Sequence, residues 1–221
     1  MASSHLKRIV APNTWPILRK TTAFISRPKP NGQKMELTLP VVVVMRDVLG
    51  LVQTSAQARR ILRTQEVKVN GNRIYDTDSA VGFMDLLDIV GKKYRILINK
   101  NSTLIVVQAK EDVILQKITG KTSLKGKTQV NCASGFNFIV DKDSYKVGDS
   151  IAIEAGKITA HYPMDIGASI LLTGGSHIGK VGVLESVEGR VIKIKVGEEV
   201  LETAKTHAYV VGKGKPAIDF S

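Results

Sequence analysis

The sequence predicts an α+β fold that is mostly β: an extended basic arm, a small helical module, then one or two small β modules. Three observations carry that expectation. Four of the seven prolines fall within residues 1–39, together with seven basic groups and one acid, a net +6. Between residues 40 and 64 apolar residues recur at helical spacing. From residue 94 onward they fall into short runs divided by glycine-containing and charged turns, the pattern of small barrels or sandwiches.

The arm, residues 1–39, is expected to be extended because Pro12, Pro16, Pro28 and Pro30 lack a backbone donor and clash inside helices. A basic start containing serine also occurs in mitochondrial presequences, but those work as amphipathic helices, which Pro12 and Pro16 would break. The arm's cations are Lys7, Arg8, Arg19, Lys20, Arg27, Lys29 and Lys34. Trp15 and Phe24 are aromatics able to stack on unpaired bases.

In residues 40–95, Pro40 can open a helix at its first turn, with Val41, Val44, Met45, Val48 and Leu49 along one stripe. Gly50 stops that helix, and Thr54 or Ser55 can cap the next. In the second helix Ala58, Ile61 and Leu62 mark the apolar face, which leaves Arg59, Arg60 and Arg63 on the adjoining flank. Val67-Lys68-Val69 alternates as a strand, and Asn70-Gly71 is a tight-turn signal. The arginine flank, with Arg46, Lys68, Asn70 and Arg73 nearby, suits phosphates, whose geometry matches guanidinium forks.

Strands are expected at 94–98, 104–109, 113–118, 136–140, 151–154, 170–173, 180–187, 191–196 and 208–211, with turns at 99–101, 125–127, 148–149, 174–175 and 188–189. They are expected to form one or two small β modules, with a central β domain set at 96–166 and a C-terminal one at 167–221.

Charge narrows the function. In 221 residues, 32 Lys+Arg against 20 Asp+Glu give a net +12 and a pI near 9.8, the footprint of a polyanion binder. An anionic membrane surface would attract the same charge, but the longest apolar run, residues 41–45, is far too short to span a bilayer. The single cysteine, Cys132, excludes an intrachain disulfide and a multi-cysteine zinc site and suits a reducing cytosol. With no apolar leader segment, a cytoplasmic location is expected.

Motifs for chemistry fail on context. Residues 174–180, Gly-Gly-Ser-His-Ile-Gly-Lys, spell a phosphate-binding loop, which also needs a following Ser or Thr for magnesium and then a helix. Val181 stands at that position and begins a strand pattern. The steps Gly120-Lys121-Thr122 and Gly126-Lys127-Thr128 lack the upstream glycine. His5, His161, His177 and His207 share no metal-ligand spacing, and no acid, base and nucleophile assemble. The reading is of a non-enzyme with no cofactor, no metal and no small-molecule substrate. The glycines Gly174, Gly175 and Gly179, with His177 and Lys180, remain as a turn whose backbone can approach a phosphate closely.

The residues also carry a resemblance. Ser55-x-x-x-Arg59-Arg60-Ile61-Leu62 followed by Val67-Lys68-Val69-Asn70-Gly71 resembles the small RNA-binding domain named after ribosomal protein S4. Gly167 to Gly175 with Gly179-Lys180-Val181-Gly182 resembles the KOW motif, an SH3-like element. With His5-Leu6-Lys7-Arg8, Arg27-Pro28-Lys29-Pro30, Val81-Gly82-Phe83-Met84-Asp85 and Tyr145-Lys146-Val147-Gly148-Asp149, the order is similar to the archaeal and eukaryotic ribosomal S4e family, at archaeal length. It departs from that family at Phe83, where leucine is usual, and at Ser176-His177. The resemblance implies a C-terminal SH3-like KOW barrel. It also implies a structural protein of the small ribosomal subunit, bound to small-subunit rRNA and neighbouring ribosomal proteins. A KOW-type elongation or assembly factor and an RNA-modifying enzyme are the alternatives. The second would need a catalytic domain that the β region does not offer.

Overall fold

The computed structural model describes residues 5–124, 126–141, 144–154 and 156–218, so Lys125 of the expected 125–127 turn lies outside the described residues. The chain forms two compact units. One comprises the residues up to Leu97 with Thr103–Lys110; the other comprises Ile98–Ser102 and the residues from Glu111 onward.

In the first unit, Pro40 does open a helix: Val41–Val43 form an α-helical turn, and Val44–Val48 continue it as a π-helix. Four consecutive β-branched residues crowd the preceding turn, which disfavours the tighter helix. The wider turn shows in the Leu49 N–H, which donates to Val44 O at 2.9 Å. The single stripe expected here is not what forms. Val41 through Met45 are all buried, because the segment runs through the core and is apolar on every side.

The second helix, Ser55–Thr64, begins in a capping box. The Thr54 hydroxyl accepts from the Gln57 N–H at 3.2 Å, and the Gln57 side chain accepts from Thr54 N at 3.2 Å. Ala58 and Leu62 are buried, while Arg59, Arg60 and Arg63 are exposed. A five-stranded sheet follows. Its order is Asn72–Arg73, Val67–Val69, Leu86–Ile89, Lys92–Ile98 and Leu104–Gln108. Asn70 (φ 51°) and Gly71 (φ 83°) turn the chain between the first two strands, as the Asn-Gly signal requires.

Residues 5–39 differ from the extended arm expected. They contain few regular elements, the strand pair Leu6–Lys7 with Phe24–Ile25 among them, yet they are tied down throughout. Trp15 is buried and donates its indole N–H to Met35 O at 3.3 Å. Leu104 N donates to Thr14 O at 2.8 Å, and Lys29 N to Asp78 O at 2.8 Å. The prolines do keep this stretch out of α-helix, with 3-10 turns at Arg8–Val10 and Met35–Leu37, but Leu6, Ala11, Trp15 and Ile25 supply enough apolar surface to fold it onto the unit.

The second unit holds two five-stranded sheets. One is ordered Asn137–Val140, Lys127–Cys132, Ile114–Leu124, Ser150–Glu154 and Lys157–Tyr162. The other is ordered Glu199–Ala204, Val191–Val196, Val181–Glu188, Ala168–Leu172 and Ala208–Lys213, with a 3-10 turn at Lys205–His207 before the last strand. All defined registers are antiparallel, and alternate residues Ile170, Leu172, Leu184, Ile192 and Ile194 build the core of the C-terminal sheet. The Tyr209 hydroxyl donates to Leu115 O at 2.8 Å. Lys117 Nζ donates to Thr206 O at 2.9 Å and Ala208 O at 2.6 Å. Burial, assisted by the nearby Lys205 charge, pulls the Lys117 ammonium down to about 8 despite those two carbonyls.

Two predictions test this packing. Trp15→Ala is expected to cost about 3–5 kcal/mol in urea unfolding, and limited proteolysis of the free protein is expected to leave residues 5–39 attached. Early cleavage there would mean that the segment is loose. Lys117 binds its proton more weakly folded than unfolded, so stability rises as pH climbs above 8 toward the unfolded value near 10.5. Between pH 8 and 9 the slope should exceed that of Lys117→Met by about 1 kcal/mol per pH unit at most. The Cys132 thiol, which burial pushes up to about 11, contributes a slope of opposite sign as pH passes its ordinary value of 9.0, and this cancels in the comparison because Lys117→Met keeps the thiol.

Candidate nucleic-acid interface

The cations sort into those spent inside the fold and those left for a partner. Arg8 is buried: Nε donates to Leu18 O at 2.5 Å, Nη1 to Thr22 Oγ1 at 3.2 Å, and Nη2 to Asp47 Oδ1 at 3.3 Å. Arg19 donates to Ala11 O and Pro12 O, both at 2.6 Å. Trp15, expected to stack on a base, has no face to offer one. These three residues hold the N-terminal segment together, which corrects the role expected for them. Asn70 is structural as well. Its amide donates to Asp85 Oδ1 at 2.9 Å and accepts from Leu86 N at 2.8 Å, so its side chain is engaged in fixing the turn.

The helix flank is different. None of the Arg59, Arg60 and Arg63 guanidiniums makes a hydrogen bond or ion pair with a described residue, and all three are exposed on successive turns of Ser55–Thr64. Arg63 lies close enough to Asp76 to help hold that carboxyl below its ordinary range, although the larger cause is Lys29, whose Nζ sits 2.6 Å from Asp76 Oδ2. Lys68 pairs with Glu66 at 2.8 Å. Arg73 lies over the Tyr75 ring, 4.9 Å from its centroid, and Tyr75 is 56% exposed. Sequence reasoning passed over Tyr75. The signal was present in the Arg73-x-Tyr75 spacing, which puts both side chains on one side of an extended chain. Lys7, Lys20, Arg27 and Lys34 are exposed, and Arg46 is half-buried against Asp47 and Ser55.

The glycine turn of the second unit is occupied by the protein itself. A Cβ on Gly174 would collide with the His207 ring. Gly179, at φ 77°, would bring a Cβ to 2.6 Å from the Asn99 carbonyl carbon, so both the close approach and the backbone angle require glycine. Gly175 lies beside His207 and Thr203. Gly179 N donates to Leu172 O at 2.7 Å, closing the turn, and Lys180 N to the carbonyl of half-buried His177 at 3.3 Å. Lys180 Nζ lies 3.9 Å from Glu199. After Lys180 comes the strand Val181–Glu188 and no helix, so the turn has the wrong context for a nucleotide-binding loop.

Comparison with known proteins agrees over the chain. A family model described as ribosomal family S4e matches residues 90–158, and one described as the RS4NT (NUC023) domain matches residues 2–30. The chain is 37% identical to the small ribosomal subunit protein eS4 of Methanospirillum hungatei, across 97% of this chain and 96% of that relative. It belongs to the ribosomal S4e family.

The eS4 protein of Methanosphaera stadtmanae is 35% identical, over 97% of this chain and 94% of its own length. The crystal structure of the 30S ribosomal protein S4e from Thermoplasma acidophilum superposes with a TM-score of 0.71 at 29% identity, covering 80% of this chain and 96% of that one. S4e is a family of structural ribosomal proteins rather than enzymes. Among the described residues no group of three His, Cys, Asp or Glu could hold a metal ion, and no helix is long and apolar enough to cross a membrane.

Gly179→Ala separates the two readings of the glycine turn. Strain and the collision with Asn99 are expected to lower stability by about 1–3 kcal/mol. A variant of unchanged stability that has lost RNA affinity would instead restore the turn as a phosphate cradle.

Proposed function

We propose that this chain is a structural constituent of the small ribosomal subunit that binds small-subunit rRNA. The observation that carries the reading is the row of three exposed arginines on Ser55–Thr64 with no acidic partner among the described residues. A fold that needed them for itself would have supplied carboxylates, as it does for Lys29, Lys68 and Arg8. Guanidiniums left this way match phosphate oxygens in fork geometry, and such contacts position a protein on RNA. Arg73 with Tyr75 adds an exposed aromatic on which an unpaired base can stack.

Residues 40–95 would serve as the RNA-binding module, with Lys7, Lys20, Arg27 and Lys34 extending the basic surface along the N-terminal segment; Lys29 is neutralised by Asp76. Residues 96–166 would form a central β domain. Residues 167–221 would be the SH3-like KOW domain, a reading supported by five antiparallel strands with a 3-10 turn before the last. The location that follows is ribosome-bound in the cytoplasm, beside other small-subunit proteins. The full-length relatedness to eS4 proteins supports this assembly.

The test is binding to a small-subunit rRNA fragment across a salt series. Replacing Arg59, Arg60 and Arg63 together with Ala is expected to reduce the salt slope by about 0.7–0.9 per lost phosphate contact, up to roughly two to three in all. Melting should be nearly unaffected, since exposed substitutions usually stay within about 0.5 kcal/mol. Lys at all three positions should recover part of the affinity. An unchanged slope in the folded triple variant would mean that this edge faces solvent or protein. Co-sedimentation with small subunits in a high-salt gradient separates the ribosomal reading from a factor that binds transiently.

A further inference from the structure

Within the first unit, a pocket of about 650 Å³ opens between the N-terminal segment and the loop and helix start at Gln53 and Ser55. That volume is in the range of small-molecule sites. Its walls are of two kinds. One side is apolar, from Ile17, Leu18 and Phe24, of which Leu18 is 74% and Phe24 59% exposed. The polar lining includes Arg46, Asp47 and Gln53.

The polar side has unspent donors. A guanidinium has five N–H groups. Arg46 uses three, giving Nε and Nη2 to Asp47 Oδ2 at 3.2 and 2.7 Å and Nη1 to Ser55 Oγ at 3.1 Å. Each terminal nitrogen therefore keeps one N–H, which leaves two charge-assisted donors for phosphate oxygens. Asp47 is already shared with buried Arg8 at 3.3 Å, so the two guanidiniums and one carboxylate leave a net positive wall. The Gln53 side-chain amide makes no hydrogen bond with a described residue. It offers a donor and an acceptor suited to the edge of a base.

We infer that this pocket receives one unpaired nucleotide of the bound RNA, its base against Phe24 and its phosphate on Arg46. The assignment rests on the rRNA-binding reading and goes further, naming the site and the form of RNA recognised. An aromatic ring, a free amide and a cationic wall around one cavity are the elements by which proteins hold a splayed base. A protein neighbour inserting an apolar side chain could use Leu18 and Phe24, but it would leave the Arg46 donors and the Gln53 amide unanswered.

The experiment uses the full chain, the same rRNA fragment and the same salt series. Phe24→Ala is expected to weaken binding by about fivefold to 100-fold with the salt slope unchanged, because stacking is not an ionic contact. Phe24→Trp should keep the affinity. Arg46→Gln should lower the slope by about 0.7–0.9, while Asp47 keeps its Arg8 partner. A photoreactive phenylalanine analogue at position 24 should cross-link to one or two adjacent unpaired nucleotides. Melts on each preparation show that the variants are folded. If the wild-type chain binds and the Arg59/Arg60/Arg63 variant is weakened while Phe24→Ala and Arg46→Gln are not, the pocket assignment alone fails. If the wild-type chain does not bind at all, the rRNA reading fails first. Variants that bind naked rRNA normally yet leave assembled subunits would assign the pocket to a protein neighbour and overturn the nucleotide.

Discussion

Asp47 lies between Arg8 and Arg46, its two carboxylate oxygens divided between them at 3.3 and 2.7 Å. Arg8 comes from the N-terminal segment, and Asp47 and Arg46 from the last turn of the helix that fills the core. One carboxylate thus joins the least regular part of the first unit to its most buried part. Arg8 is nearly solvent-free, and a buried cation that lost its acid would cost several kcal/mol. The other donors of Arg8 go to Leu18 O and Thr22 Oγ1, so the same guanidinium also fixes the loop that forms one wall of the pocket. The docking of Arg8, the loop it fixes beside the cavity and the placement of Arg46 all draw on this one acid.

The fold uses its positive charge in two ways. Arg19 and Lys117 donate to backbone carbonyls, and Arg8 divides its donors among a carbonyl, a hydroxyl and a carboxylate, so all three are spent within the fold. Arg59, Arg60 and Arg63 make no ion pair with a described acid, and they stand exposed on a helix that begins in a capping box. Arg8 cannot be exchanged for lysine, since a point charge does not fan out to its three acceptors. The second group can lose charge with little harm to the fold.

Local features were legible in the sequence and distant ones were not. The Thr54 cap, the apolar face at Ala58 and Leu62, the exposed arginine flank and the Asn70-Gly71 turn all depend on residues within a few positions of one another. Trp15 and Arg8 were misjudged because their partners, Met35 O and Asp47, lie 20 and 39 residues away. Composition gave the segment's charge but not its burial. The strands Lys127–Cys132, Lys157–Tyr162 and Glu199–Ala204 were not anticipated because each buries few apolar side chains and is otherwise polar. The need for glycine at 174 and 179 was visible, but its cause was not. His207 and Asn99 reach those positions only through the fold.

The tethering of residues 5–39 also bears on the thermodynamics of any association. A basic segment that orders only on its partner must lose backbone freedom at that moment, at roughly 1–2 kcal/mol per residue. Here that loss has already occurred during folding, with Trp15, Arg8 and Arg19 as the fasteners. A partner therefore meets a surface already set. Its capture should show a small heat-capacity change, without the large negative value that accompanies coupled folding and burial.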